Sequence, residues 1–265
     1  MKPVYRWIAT HPRLSKFIIA VIVTIICFIT LNPNIFPFIV RYLVVFFSLF
    51  FGFLFVNTVP ERLMREPLEI LEQECDPYPF LEEMERQLPL CRDNLQGQLT
   101  KINYAMALSQ TGQLEKTLQI LRQINIDRFP ATSPVVKFIY YNNLCDALTR
   151  LSRFEEADIW YRKAKQIYED LPNNKLKQKM DYTVQMNENE ALYREGDYAS
   201  ALRSLSRLTC KTQRAVMDAA LLAARCNLKL EEYGKAREKL QYVITNGNRL
   251  HAVEVAEQLL SELPD

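Results

Sequence analysis

The chain has 265 residues, with 33 Lys/Arg, 31 Asp/Glu, six glycines and two histidines, enough for one or two domains. So few glycines argue against phosphate-cradling loops and a turn-rich β architecture, and His11 and His251 leave little for histidine catalysis or histidine metal sites. Charge is split along the chain: residues 1–60 hold Lys2, Arg6, Arg13, Lys16 and Arg41 and no acid, whereas 61–265 hold 28 Lys/Arg and 31 Asp/Glu, without the basic stripe that nucleic acid needs.

In chain order, residues 1–16 form a basic N-terminal stretch. Phe17 to Leu31 is uncharged and apolar, FIIAVIVTIICFITL. It is short for a bilayer, where about 20 residues are usual, and is extended to residue 35 with Lys16 reaching back to the headgroups. Asn32-Pro33-Asn34 and Phe36-Pro37 predict a tight turn. A second apolar run, 37–59, carries Arg41 near its start and is expected to close at Pro60. The two runs, about 17–35 and 37–59, read as a transmembrane hairpin. A signal peptide fits less well, because the small-residue cleavage pattern is missing and a second apolar span follows at once. Positive residues flank the outer ends of the pair, which places both termini in the cytoplasm. A compact two-span anchor with a basic start suits a bacterial plasma membrane. Neither span carries an acid or a GxxxG, so a channel or transporter is not indicated.

Residues 60–96 read as juxtamembrane helices and a linker. A helix runs from Glu61 to Cys75, Asp76-Pro77-Tyr78-Pro79 breaks it, and a short helix follows from Phe80 to Leu88. From 97 to 265 the apolar period is helical throughout. Four segments repeat one pattern: a helix, a short turn ending in an aromatic or Leu, then a second helix with a small residue three positions later and a large one four after that. The sets are Leu114, Thr117 and Leu121; Phe154, Ala157 and Tyr161; Tyr198, Ala201 and Leu205; and Tyr233, Ala236 and Leu240. The small residue lets the two helices of a pair approach closely, and the aromatic is expected to plug the gap between them. Asn248 to Leu263 reads as an amphipathic cap.

Through G-D-Y-A-S-A-L at 196–202, F-E-E-A at 154–157 and E-Y-G-K-A at 232–236, the chain resembles the tetratricopeptide repeat family. The resemblance covers roughly Leu99 to Gly247. It implies an all-α fold in which a two-helix membrane hairpin is followed by an α-solenoid of about four helix pairs with a C-terminal capping helix. The sequence departs from the family in its spacing, with 40, 44 and 35 residues between successive anchors. The excess falls near Asp127 to Pro130 and Leu171 to Asn174. Thr117 stands where the family has alanine.

No nucleotide, metalloprotease or hydrolase motif is present, and no Cys/His set has metal spacing, so neither an enzyme nor a cofactor nor a metal is indicated. The acidic pairs Glu82-Glu83, Glu155-Glu156 and Glu231-Glu232 are expected in first turns of helices, where the dipole favours them. His251 reads as a surface or half-buried residue. The six cysteines read as free thiols, with Cys145 and Cys226 on apolar faces.

The resemblance implies recognition by the first helices of the pairs, which would line a concave groove with Asn103, Met106, Asn142, Asp146, Arg150, Asn187, Glu190, Arg194, Arg225 and Lys229. Asparagines at 103, 143 and 187 recur at one repeat position, where an amide can hold a ligand's backbone or tie neighbouring helices together. Arg150, Arg194, Arg225 and Lys229 would form an electropositive strip suited to an acidic or carboxylate-ended peptide. Ile102 and Met106 do not match the clamp that some family members use for chaperone tails. The reading is a membrane-tethered protein-interaction adaptor with a protein or peptide partner, no nucleic acid, and lipid contact through residues 17–59. The alternative is a structural or assembly subunit of a larger membrane complex.

Overall fold

The computed structural model describes residues 2–30, 38–91, 93–128, 133–172 and 175–264. They divide into two units, Met1–Glu66 and Pro67–Asp265. Among the described residues there are helices and turns but no strand.

The first unit holds α1 (Lys2–Thr10), α2 (Pro12–Thr30) and most of α3 (Phe38–Glu69). The expected turn at Asn32 to Pro37 lies outside the described residues. α3 contains a stretch long and apolar enough to cross a membrane; α1 and α2 meet that test only together, across a bend of 107°. Ile25, Ile29, Phe46, Phe47, Phe50 and Phe51 are all exposed, a surface water disfavours and acyl chains do not. α2 and α3 approach closely at Gly52, where a Cβ would come 2.6 Å from Ile19. The stop expected at Pro60 does not occur: α3 runs through it to Glu69 and ends in a π-helical turn, Ile70–Glu74. Proline costs one backbone hydrogen bond and crowds the preceding turn. The helix-forming run Glu61-Arg62-Leu63-Met64-Arg65-Glu66 that follows favours continuation.

The second unit begins with α4 (Tyr78–Gln87). Four antiparallel pairs follow: α5 (Leu95–Gln110) with α6 (Leu114–Arg122), α7 (Pro134–Arg150) with α8 (Phe154–Asp170), α10 (Asp181–Glu195) with α11 (Tyr198–Leu205), and α12 (Gln213–Lys229) with α13 (Tyr233–Asn246). A short α9 (Lys175–Gln178) separates the second and third pairs, and α14 (His251–Ser261) ends the array. The long intervals are accounted for here. A 3-10 turn at Ile126–Arg128 extends the first connection, while a 17-residue α8 and the added α9 lengthen the second.

All four pairs turn in the same way. The residue at the bend is left-handed each time: Gly112 (φ 77°), Ser152 (58°), Gly196 (84°) and Glu231 (60°). The next amide then reaches back to the first helix, from Gln113 to the Leu108 carbonyl (3.0 Å), Arg153 to Leu148 (2.8 Å), Asp197 to Leu192 (2.9 Å) and Glu232 to Asn227 (2.9 Å). This is the Schellman closure, which satisfies carbonyls that a helix end otherwise leaves bare. The anchor carbonyl of the turn then accepts the first bond of the second helix, as from Ala157 to Arg153 and Ala236 to Glu232, both at 3.0 Å.

Three residues into each second helix sits the small side chain on which close crossing depends. Ala157, Ala201 and Ala236 are fully buried, and Thr117 nearly so. Thr117 is tolerated because its hydroxyl donates to the Gln113 carbonyl (2.9 Å) and lies 3.3 Å from that of Ala105 on the facing helix. The matching slot on the first helices holds Ala105, Cys145, Asn189 and Ala224, all buried; Asn189 has neither amide atom paired. The large residues Leu121, Leu205 and Leu240 are buried as expected, but the aromatics are less enclosed. Phe154 and Tyr233 are each more than a third exposed, because the first position of a helix directs its side chain over the turn and not into the crossing.

The acidic pairs differ in one respect. Glu155-Glu156 occupies the first turn of α8, and Glu231-Glu232 the bend before α13, but Glu82-Glu83 lies in the middle of α4. There Glu83 is buried and accepts from Gln87 (3.0 Å). The cysteines carry no disulfide, and Cys75, Cys145 and Cys226 are buried; burial pushes the Cys145 thiol up to about 12.

The two glycines at the bends separate two costs. Gly196 has open space where a Cβ would go, whereas a Cβ on Gly112 would lie 2.5 Å from the His251 ring. Gly196→Ala is therefore expected to lose only the left-handed backbone penalty, about 1–2 kcal/mol. Gly112→Ala should lose measurably more in urea denaturation, and His251→Ala should abolish that excess.

Candidate partner-binding trough

The first helices α5, α7, α10 and α12 follow one another along the array, α5 packed on α7 and α10 on α12, and the face they share is called its inner wall. Each predicted groove residue lies on one of them: Asn103 and Met106 on α5, Asn142, Asp146 and Arg150 on α7, Asn187, Glu190 and Arg194 on α10, and Arg225 and Lys229 on α12. All are half-buried except Lys229, which is exposed.

The wall is stitched together by polar contacts between successive helices. The Ser109 hydroxyl donates to Asp146 (3.1 Å), and the Asn187 amide donates to Asn142 (2.8 Å). The Tyr182 hydroxyl donates to the Ala215 carbonyl (2.9 Å), joining α10 to α12. Asn142 and Asn187 thus serve each other. Asn143, the residue of the recurring asparagine position on α7, leaves its buried Nδ2 without a partner.

The cations are matched, which alters the expected electropositive strip. Arg150 pairs with Asp146 (3.0 Å) and reaches Asp218 (3.9 Å). Arg194 pairs with Asp158 of α8 (2.7 Å) and lies over the Phe154 ring. Arg225 pairs with Glu190 (3.5 Å) and stacks on Tyr193, 4.5 Å from the ring centre. Sequence places these cations on the inner helices; it does not show that acids from neighbouring helices come opposite them, because those partners lie about one repeat or more away.

A further pairing closes the wall. Arg214 on α12 holds Asp218 (3.0 Å) on one side and Glu72 (2.9 Å) on the other. Glu72 belongs to the π turn before α4, so a segment that sequence reads only as the end of a juxtamembrane helix is docked on the inner helix of the last pair. Its neighbours are held too. Leu71 and Cys75 are fully buried, the Glu74 carbonyl accepts from Asn248 Nδ2 (2.8 Å), and the Cys75 carbonyl accepts from the Arg249 amide (3.2 Å). Arg249 also pairs with Asp76 (3.2 Å) and covers the Tyr78 ring at 3.9 Å. α4, which follows directly, packs on α5. Residues 70–87 therefore strap the first pair to the last. The sequence signals were the i, i+4 spacings of Asp146 with Arg150 and of Arg214 with Asp218; Glu72 and Asp158 carried none.

A family model described as the SusR N-terminal TPR domain matches residues 80–246, from α4 to the end of α13. The chain belongs to this TPR family. No curated protein and no solved structure matches it. The match supports an all-helical repeat domain of the kind that binds or scaffolds other proteins, and its four pairs are those expected from the alanine, aromatic and glycine spacing. In this TPR domain the inner wall is close to charge-balanced, with Arg150, Arg194, Arg214 and Arg225 facing Asp146, Asp158, Asp218, Glu190 and Glu72, and Lys229 exposed at the edge.

Electrostatics divides the wall into fixed and adjustable parts. Arg150 is half-buried against two carboxylates. Burial opposes its charge, but Asp146 and Asp218 outweigh it and hold its pKa above the ordinary value. Glu190 is in the opposite position: burial pushes its carboxyl up, Arg225 offsets this only in part, and Oε2 has no partner.

Two outcomes follow. Arg214→Ala leaves half-buried Glu72 without its cation and Asp218 with only Arg150 at 3.9 Å, and should cost about 1–3 kcal/mol in denaturant unfolding, whereas Lys229→Ala should stay within about 0.5 kcal/mol of wild type. Glu190 binds its proton more tightly folded than unfolded, so it lowers stability as pH rises from the ordinary glutamate range through its raised folded value. The unfolding free energy of Glu190→Gln relative to wild type should therefore grow as pH rises above the ordinary glutamate range, about 4, measured by urea titration; a gap independent of pH contradicts the assignment.

Proposed function

We propose that this protein is a membrane-tethered adaptor that presents its TPR domain to protein or peptide partners on the cytoplasmic side of a bacterial plasma membrane. The observation that carries the reading is the joining of an exposed apolar helix, too greasy for water over Ile39 to Phe51, to a repeat domain whose inner wall is polar and has no catalytic constellation among the groups described. Basic residues flank the outer ends of the apolar runs and none occurs in the turn, which favours both termini inside. Tethering confines the search for a partner to the bilayer surface and raises its local concentration.

Within the wall, the groups best placed to meet a partner are Asn103, Met106 and the exposed Lys229, since Asn187 is engaged with Asn142. Arg150 and Arg194 are engaged in holding helices together, so reversing them would test folding and not recognition. A partner with acidic character would be drawn to Lys229 and the rim and not to a continuous positive strip. The matched charges favour one alternative, a structural subunit of a larger membrane complex whose hairpin packs on another membrane protein while the TPR domain braces it.

The two readings separate in one set of measurements. Full-length protein should resist carbonate extraction from membranes, and a C-terminal reporter should register cytoplasm. For an adaptor, Lys229→Glu combined with Met106→Gln should lower partner recovery at least about tenfold with an unchanged melting curve, the loss of more than 1.4 kcal/mol of binding. Exchanging residues 17–59 for an unrelated apolar hairpin should leave recovery intact. If that exchange abolishes recovery while the groove variant does not, the subunit reading replaces the adaptor.

A further inference from the structure

α1 meets α2 at a sharp bend and lies outside the TPR domain, and it is held in a defined place. One side of it packs on α3: Ile8 is buried against Val56 and Val59, with Tyr5 and Ala9 beside it. The Tyr5 ring lies 6.1 Å from Phe55, which in turn carries the Arg62 guanidinium at 5.2 Å. The other side is open. Val4 is 61% and Trp7 42% exposed, and Trp7 stacks on His11 with ring centres 5.4 Å apart. Leu14 and Phe17 continue the exposed apolar surface onto α2. Between these side chains stand Arg6, Arg13 and Lys16, and the chain has no acid before Glu61.

The bend supplies the geometry. α1 and α2 meet at 107°. If α2 runs along the bilayer normal, α1 lies close to the membrane plane, at the level where Trp and Tyr settle and where headgroup phosphates lie. A helix with an apolar underside, an aromatic at the edge and only basic charge is complementary to an anionic leaflet and not to a zwitterionic one.

From this, and resting on the membrane reading above, we infer that α1 and its corner with α2 form an in-plane collar that binds anionic phospholipid headgroups through Arg13 and Lys16, with Trp7 and Val4 seated where the acyl chains join the headgroups. The collar also fixes the end of α3, because Ile8 and Tyr5 grip Val56, Val59 and Phe55. Phospholipid charge would thereby act on the helix that leads toward the TPR domain.

Trp7 and Trp160 are the only tryptophans, which allows a direct test. Full-length Trp160→Phe protein is reconstituted in nanodiscs of phosphatidylcholine containing about 30 mol % phosphatidylglycerol, with either lipid brominated near the headgroup, and the Trp7→Phe protein serves as the blank. Brominated phosphatidylglycerol should quench Trp7 at least about twofold more, per brominated lipid, than brominated phosphatidylcholine, and added salt should reduce the excess. Arg13→Gln/Lys16→Gln should bring the ratio to one while Trp7 stays quenched. Equal quenching by both lipids in the otherwise wild-type chain overturns the inference, as does an unquenched Trp7 in a protein that resists carbonate extraction; in both cases the membrane reading survives. A protein that is extracted by carbonate and quenched by neither lipid overturns both.

Discussion

The close crossing of two helices at a small side chain is what the TPR domain depends on. Ala157, Ala201 and Ala236 have no room for a larger apolar group, and at Thr117 the extra atoms fit because the hydroxyl finds backbone carbonyls. Close crossing makes a pair, but a pair of this size leaves apolar surface on its flank. The second pair shows it: its core joins Leu144, Leu148 and Ala157 to Leu118 and Leu121 of the pair before, in one continuous cluster. The array is therefore stable as a series and not as separate hairpins.

The bends set the direction in which the series grows. A left-handed residue followed by a back-reaching amide fixes where the second helix starts, and the same geometry recurs at Gly112, Ser152, Gly196 and Glu231. Two of those positions are not glycine, so the array accepts a backbone cost to keep the angle. Because the turn repeats while the lengths of α6, α8 and α11 do not, the inner helices stay in register even where the connections between pairs are long.

Closure of the inner wall is a separate matter. Burying Arg214 and Asp218 is favourable only with partners on every side, since an unmatched charge there is more costly than no charge. Those partners come from three regions: α7 through Arg150, α12 itself, and the strap through Glu72. The strap thus contributes to the wall as a repeat helix does, although it lies outside the repeat pattern. This also bears on the proposed recognition, because a wall whose guanidinium groups are already matched leaves no row of free charge.

Much of the architecture was legible from residues alone. Spacing of small, aromatic and glycine positions is a local property of each pair, so four pairs, their bends and the terminal cap could be read before any coordinates, as could the apolar character of residues 39–56. What only the tertiary structure decided involves partners distant in the chain. Glu72 meets Arg214 across 142 residues, and Arg194 meets Asp158 across 36. Asn187 meets Asn142, not the Asn143 that shares its place in the repeat. Periodicity reports which side of a helix is turned inward. It carries no record of which charge on another helix will stand opposite, because that depends on the curvature accumulated over every preceding turn.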